Sequence, residues 1–114
     1  MNEAAFQVDH WSLTLGVVLR PHGDMDLSRS PVLRTEIASV WKKKPSRVIV
    51  DLDAVGYMDS SGVATLVEAL SVARKQGSRL VLCGMHEKVR SIFEIARLDT
   101  VFTIVDDVKQ AQQA

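Results

Sequence analysis

The stretch that decides the fold occupies residues 48–62 and reads Val-Ile-Val-Asp-Leu-Asp-Ala-Val-Gly-Tyr-Met-Asp-Ser-Ser-Gly. Its first five residues are mostly branched and apolar, which is typical of a strand buried on both faces of a sheet. After a loop over residues 53–59, apolar residues recur at helical spacing. We therefore predict a helix that begins near Ser60 or Ser61 and stops at Gly77. A buried strand that leads directly into an amphipathic helix indicates an α/β fold.

Strands and helices also alternate on both sides of this stretch. Upstream, Ser30 and Pro31 predict a helix start, because serine accepts a hydrogen bond from a free backbone amide and proline is tolerated in the first turn. Three lysines at 42–44 and then Pro45 mark the end of that helix. Downstream, the pattern predicts a buried strand at 80–83, a helix over about 86–97, a short strand at 102–105 and a terminal helix over 106–114.

Before the first helix, apolar residues alternate with polar ones. The apolar side chains stand at Phe6, Val8, Trp11, Leu13 and Leu15. Residues 17–19 continue the pattern, which predicts a hairpin of two extended segments with its turn somewhere in 9–14, followed by a loop over 22–30. The element order ββαβαβαβα predicts a single α/β domain over residues 1–114, in which helices pack around a mixed sheet of four or five strands.

Composition narrows the classes of protein to which the chain can belong. Its 114 residues carry 14 Lys and Arg against 14 Asp and Glu, so the formal net charge is zero. A neutral chain argues against nucleic acid as the main ligand, because phosphate binding relies on a cationic face. The lone Cys83 excludes an internal disulfide and suits a reducing compartment, so we expect a cytoplasmic location. No apolar run approaches ~18 residues and no signal peptide pattern occurs, so neither membrane insertion nor secretion is expected.

The most informative polar segment is Asp59-Ser60-Ser61-Gly62, which opens the predicted helix after the buried strand. Free backbone amides and the positive end of the helix dipole favour an anion there, so a phosphate would be well placed near the two hydroxyls. Asp and Ser are also preferred N-caps, and capping alone explains the spacing. Both interpretations stay open, since a helix cap can lie beside a modified hydroxyl.

Other polar residues match no catalytic or metal-binding pattern. A serine hydrolase would need a Gly-x-Ser-x-Gly elbow, which neither Ser60 nor Ser61 has. The segment His22-Gly23-Asp24-Met25-Asp26 fits neither a calcium loop nor a zinc motif, and no nucleotide-binding glycine motif occurs. Cys83 is expected to be an inert core residue, and the lysines at 42–44 a solvated helix end. We therefore expect no catalytic residue, no metal and no cofactor.

The segment 48–62 resembles the signature of STAS domains, the family of bacterial anti-sigma factor antagonists. In that signature a strand ending in Asp-Leu or Asn-Leu precedes an Asp-Ser-Ser/Thr-Gly tetrapeptide at a helix start. Four further segments resemble the family's other strands, its acidic turn and its third helix, namely 18–26, 79–84, 89–99 and 102–105. The resemblance therefore covers nearly the whole chain. The sequence departs from the family pattern at Val63, where Leu is commoner, and at Ala96-Arg97-Leu98, where the middle residue is more usually Gly.

This resemblance implies a regulatory protein that is not an enzyme but the substrate of a partner serine kinase. In the family, the second hydroxyl residue of the tetrapeptide is phosphorylated, and that position is Ser61. The unphosphorylated form binds the kinase, which is also an anti-sigma factor, and so frees a sigma factor and regulates transcription. Phosphorylation ends this binding, and a serine phosphatase restores it. The resemblance places Asp26, Asp59, Ser60 and Gly62 at the partner-binding surface, with the exposed side of the following helix as the docking face.

One alternative class stays open within the resemblance. STAS domains also serve as accessory subunits on the ATPase of a lipid-type ABC transporter, or as modules of stress-signalling complexes, where the hydroxyl need not be modified. The paired Ser60-Ser61 favours the sigma-factor pathway, because transporter members often vary at that position. On a chain of zero net charge, one phosphate adds about −1.5 to −2 and would set the sign of the charge. We expect it to act mainly by repulsion at the partner surface.

Overall fold

The computed structural model describes residues 6–14 and 16–114, which form five strands and four α-helices. The strands are β1 (Gln7–Ser12), β2 (Val17–His22), β3 (Arg47–Asp51), β4 (Arg79–Cys83) and β5 (Thr103–Val105). The helices are α1 (Ser30–Trp41), α2 (Ser60–Gln76), α3 (Glu87–Ile95) and α4 (Val108–Gln113), with a 3-10 turn at Leu98–Thr100. The order along the chain is the predicted one.

The five strands form one mixed sheet in the order β1-β2-β3-β4-β5. β1 pairs with β2 in antiparallel fashion, and each later pair of neighbours is parallel. Parallel neighbours require crossover connections, which α1, α2 and α3 provide. The predicted α/β class with a mixed sheet is therefore confirmed.

The sheet is covered on both faces. Alternate residues of β3 show this directly, because Val48 and Val50 belong to the larger core cluster that includes residues of α1, α2 and α3. Ile49 points the other way, into a smaller cluster that includes Ala111 of α4. Val48, Ile49 and Val50 are all fully buried. The prediction of a strand buried on both faces is thus confirmed, and it places the end of β3 at the centre of the sheet.

Asp51 is the polar exception at the end of β3. Its carboxylate is almost fully buried, and Oδ2 accepts hydrogen bonds from Nε and Nη2 of Arg20 at 2.9 and 2.8 Å. Oδ1 accepts the backbone N–H of Asp53 at 3.0 Å, so both carboxylate oxygens have partners. Burial, and secondarily the Asp51 carboxylate, raises the pKa of the neighbouring Cys83 thiol to about 12. This thiol is fully buried and protonated at neutral pH, as predicted for an inert core residue.

The hairpin turn lies later than predicted. The prediction places it in 9–14, but β1 runs to Ser12 and the chain reverses beyond it, where the Leu13 N–H donates to the Gly16 carbonyl at 2.7 Å. β1 continues through the first four of the predicted turn residues, since their alternating pattern contains no glycine or proline to end the strand. Gly16 is needed because a Cβ there would lie 2.2 Å from the backbone carbonyl oxygen of Arg47. Leu15 lies outside the described residues.

The predicted start of α1 at Ser30 and Pro31 is confirmed, but Arg29 is the N-cap and the Ser30 hydroxyl donates to the Asp26 carbonyl oxygen instead of capping the helix. The end of the third helix differs from the prediction. α3 stops at Ile95, because Arg97 adopts a left-handed conformation with φ of 59° and turns the chain into the 3-10 segment. The predicted stop of α2 at Gly77 is confirmed, and this glycine has the left-handed φ of 71° that closes a helix.

Candidate functional site

Asp59 organises the N-terminus of α2 through one carboxylate oxygen. Its Oδ1 accepts the backbone N–H groups of Ser61 at 2.9 Å and Gly62 at 3.4 Å, and the Ser61 hydroxyl donates to the same atom at 2.5 Å. This hydroxyl is the main cause that holds the pKa of the Asp59 carboxyl below its ordinary value, and the backbone amides add to the effect. The carboxylate is therefore ionised at neutral pH and fixes the direction of the Ser61 side chain.

Replacing Asp59 by alanine is expected to lower the thermal midpoint by a few degrees at pH 7, because α2 loses its cap. The depressed pKa of Asp59 in the folded state means that its contribution is present above the unfolded pKa of about 3.9. That contribution disappears as the pH falls through the lower folded pKa. Thermal melts from pH 7 to pH 2 should show the gap between Asp59→Ala and the native chain closing at the acid end.

Asp59→Asn is the matched control for this experiment, since Asn caps a helix about as well as Asp without its charge. We expect this variant to melt close to the native protein at pH 7. A gap between Asp59→Ala and the native chain that stays constant down to pH 2 would contradict the role of the ionised carboxylate.

The two serines of the tetrapeptide have different surroundings. Ser60 is exposed to solvent, whereas Ser61 is half-buried between α2 and the start of α1. In addition to its contact with Asp59, the Ser61 Oγ lies 2.9 Å from the Oγ of Ser30. The structure therefore holds the Ser61 hydroxyl between two defined partners and presents Ser60 beside it on the surface.

Ser30 belongs to this site, although the sequence pattern assigns it only to a helix start. Its side chain is buried, and its hydroxyl lies 2.8 Å from the backbone carbonyl oxygen of Asp26 as well as beside Ser61. No local signal links two residues that are 31 positions apart. The one available clue is the parallel pairing of β2 and β3, because the loops that follow neighbouring parallel strands meet at the same edge of the sheet.

The carboxylate of Asp26 is engaged within its own loop. Oδ1 accepts the hydroxyl and backbone N–H of Ser28 at 2.8 and 3.1 Å and the backbone N–H of Arg29 at 3.1 Å. Oδ2 pairs with Nη1 of Arg29 at 3.1 Å. The Ser28 hydroxyl is the main cause that lowers the pKa of Asp26. The Asp26 carboxylate thus stays paired within its own loop, and Asp26 contacts the site through its backbone carbonyl oxygen, which accepts the Ser30 hydroxyl.

Gly62 lies where the loops after β2 and β3 join. Met25 and Met58 form an isolated parallel bridge there, and the Met25 carbonyl oxygen accepts the Asp59 N–H at 3.1 Å. A Cβ at position 62 would lie 2.6 Å from Cγ of Met58 and 3.0 Å from that same carbonyl oxygen. The tetrapeptide glycine therefore permits a close approach of the two loops, which positions Asp59 against the first loop.

A shallow apolar groove borders the tetrapeptide on its solvent side. It is lined by Tyr57, Met58, Asp59, Ser60, Val63, Ile92 and Ala96. Next to Asp59, Leu27 is 75% exposed and Tyr57 is 49% exposed. The backbone N–H of Leu27 adds to the lowering of the Asp59 pKa. Exposed apolar side chains around a polar centre are typical of a surface that binds another protein.

The other polar segments singled out in the sequence lie elsewhere. His22 pairs through Nε2 with Oδ2 of Asp9 across the hairpin at 2.7 Å, so it does not join Asp26. The lysines at 42–44 are exposed at the end of α1, as predicted. Within residues 6–14 and 16–114, no three His, Cys, Asp or Glu side chains are grouped so that they could hold a metal ion. No helix in that same part of the chain is long and apolar enough to cross a membrane.

Comparison with known proteins identifies the family. The STAS domain model matches residues 7–111. This chain belongs to the STAS domain family. The STAS domain is 34% identical over 83 residues to the anti-sigma-B factor antagonist of Listeria monocytogenes, and the match covers 72% of each chain. The resemblance seen in the tetrapeptide and its neighbouring segments is thus confirmed.

Solved structures share the fold of this STAS domain at low sequence identity. An anti-sigma factor antagonist from Mycobacterium paratuberculosis has a TM-score of 0.88 at 19% identity, covering 96% of this chain and 92% of the other. The Bacillus cell fate determinant SpoIIAA in its phosphorylated form has a TM-score of 0.72 at 20% identity, and the match covers 96% of this chain and 98% of the other. At these identities the similarity establishes the architecture, and the site is argued from its own residues.

Proposed function

We propose that this STAS domain is an anti-sigma factor antagonist, which binds an anti-sigma factor while unphosphorylated and so frees a sigma factor. The observation that carries the proposal is the Ser61 hydroxyl, half-exposed at the start of α2 and held by Asp59 at 2.5 Å. The Listeria relative, named as an antagonist of an anti-sigma factor, supports the same class for this chain. The chain acts by binding, and its chemistry is that of a substrate.

Phosphorylation of Ser61 by the anti-sigma factor, acting as a serine kinase, ends the binding. The Ser61 Oγ forms a bond to the γ-phosphorus of ATP while the bond from that phosphorus to the β–γ bridging oxygen breaks, and ADP leaves. The hydroxyl proton passes to a base. The kinase holds the nucleotide and its metal, so this chain needs no cofactor. A serine phosphatase hydrolyses the ester and restores the binding form.

The charge of the site explains why the phosphate weakens binding. The unmodified chain has a formal net charge of zero, and a phosphoryl group adds about −1.5 to −2 at neutral pH. The group is attached beside the ionised carboxylate of Asp59. The positive end of α2 offsets part of this repulsion. A partner surface that fits the unmodified site, with its single Asp59 carboxylate, then meets two adjacent negative groups.

The docking surface extends from Ser61 along the apolar groove. Leu27 and Tyr57 contribute exposed apolar area beside Asp59, and Ser60 forms part of the groove lining. The exposed side of α2 continues this surface and includes Val67, which is 42% exposed. Apolar anchors around a phosphorylatable hydroxyl supply affinity, while the hydroxyl supplies the switch.

Native purification of a tagged chain from its own cells, followed by mass spectrometry, tests the proposal. We expect a protein with a serine kinase domain to copurify, and a phosphate to appear on Ser61. Ser61→Ala should remove that phosphate while Ser60→Ala retains it. Recovery of an ABC transporter ATPase, with Ser61 unmodified under every growth condition, would instead favour an accessory transporter subunit.

A further inference from the structure

Two hydroxyl protons serve three close contacts around Ser61. The Ser61 Oγ lies 2.5 Å from Oδ1 of Asp59, the Ser30 Oγ lies 2.8 Å from the Asp26 carbonyl oxygen, and the two Oγ atoms lie 2.9 Å apart. Each serine hydroxyl has one proton to donate. Only two of the three contacts are therefore hydrogen bonds at any moment. Which two they are depends on the acceptor atoms.

The acceptors determine the direction of these bonds. Oδ1 of Asp59 is charged, and its short distance to the Ser61 Oγ is typical of a charge-assisted bond, so the Ser61 proton points there. The Ser30 hydroxyl donates to the Asp26 carbonyl oxygen at 2.8 Å. That oxygen also accepts the backbone N–H groups of Ser30 at 2.9 Å and Arg29 at 3.1 Å, so it keeps two donors if the hydroxyl turns away. The Ser30 Oγ lies 2.9 Å from the Ser61 Oγ, within reach of a group attached there.

We propose that Ser30 is a positioning residue of the phospho-acceptor site: its hydroxyl donates to the Asp26 carbonyl oxygen before modification and turns to the phosphoryl group on Ser61 afterwards. This inference rests on the proposed phosphorylation of Ser61. Once the ester has formed, Ser61 has no proton to donate and Asp59 faces a dianion. Ser30 still holds its proton. Ser30 is only 2% exposed, so solvent does not readily replace this donor when it is removed.

The test uses phosphoserine inserted at position 61 during translation, so that no kinase is needed. A ³¹P NMR titration then reports the second pKa of the phosphoserine, which is ordinarily about 6. Removing the donor in Ser30→Ala is expected to raise this pKa by about half a pH unit, because a hydrogen bond to the dianion favours the charged form. Thr35→Ala is the matched control, since it deletes an α1 hydroxyl bonded only to the Pro31 carbonyl oxygen and should leave the titration unchanged.

Ser30→Cys provides a second version of the test, with nearly the same volume and a much weaker donor, should the alanine variant not fold. It is expected to raise the phosphoserine pKa in the same direction. Titration curves that coincide for the native chain and a folded Ser30 variant would overturn the positioning role. This result is separate from the proposed function, which fails if no kinase modifies Ser61 in cells, whatever the inserted phosphoserine shows.

Discussion

Replacing Ser61 by aspartate is expected to weaken the affinity for the anti-sigma factor roughly 100-fold, or about 2.7 kcal/mol. The new carboxylate would stand beside the ionised Asp59, and both would face the partner across a surface that also carries exposed Leu27 and Tyr57. Like charges brought together at an interface are costly because binding removes the water that screens them. Isothermal titration calorimetry with the purified anti-sigma factor measures the change directly.

Ser12→Asp separates the position of the added charge from the net charge of the chain. Ser12 is exposed at the end of β1, so this variant also carries a formal net charge of −1 but leaves the tetrapeptide intact. We expect it to bind as the native chain does. Ser61→Ala should also keep its affinity while losing the ability to be phosphorylated. The charge mechanism is wrong if Ser61→Asp and Ser12→Asp bind equally tightly.

Replacing Gly62 by alanine is expected to lower the free energy of unfolding by about 2 kcal/mol, within the range found for overpacked cores. The added Cβ would lie 2.6 Å from Cγ of Met58 and 3.0 Å from the backbone carbonyl oxygen of Met25. Both methionines are buried, so neither moves aside freely. Urea denaturation of the two chains gives the difference in the free energy of unfolding.

Gly56→Ala is the matched control in the same loop region. A Cβ at position 56 meets nothing within 4 Å, so its effect should stay within about 0.5 kcal/mol. An equal loss of stability in both variants would show that the loop between β3 and α2 resists any side chain. The close approach of Met25 and Met58 would then not be the cause.

Much of the architecture could be predicted because its signals are local. The apolar run before Asp51 predicts a strand, and the amphipathic spacing from Ser61 to Gly77 predicts the helix that follows. The same reasoning predicts the hairpin turn too early, because the alternating pattern continues through Ser12 without a residue that ends a strand. Ser30 follows the statistics of helix starts and α1 begins there, but the Ser30 hydroxyl does not cap the helix: it donates to the Asp26 carbonyl oxygen and lies beside the Ser61 Oγ.

In the candidate site, too, local contacts could be predicted from the sequence and long-range contacts could not. Its sequence alone determines the Asp59 cap and the presence of a hydroxyl at the start of α2, because those bonds join residues two or three positions apart. Only the tertiary structure decides that Ser61 is held between Asp59 and Ser30 while Ser60 stays exposed. The physical reason is the parallel pairing of β2 with β3, which brings the two following loops to one edge of the sheet. Residues that are 31 positions apart in the chain thereby share one network of hydrogen bonds.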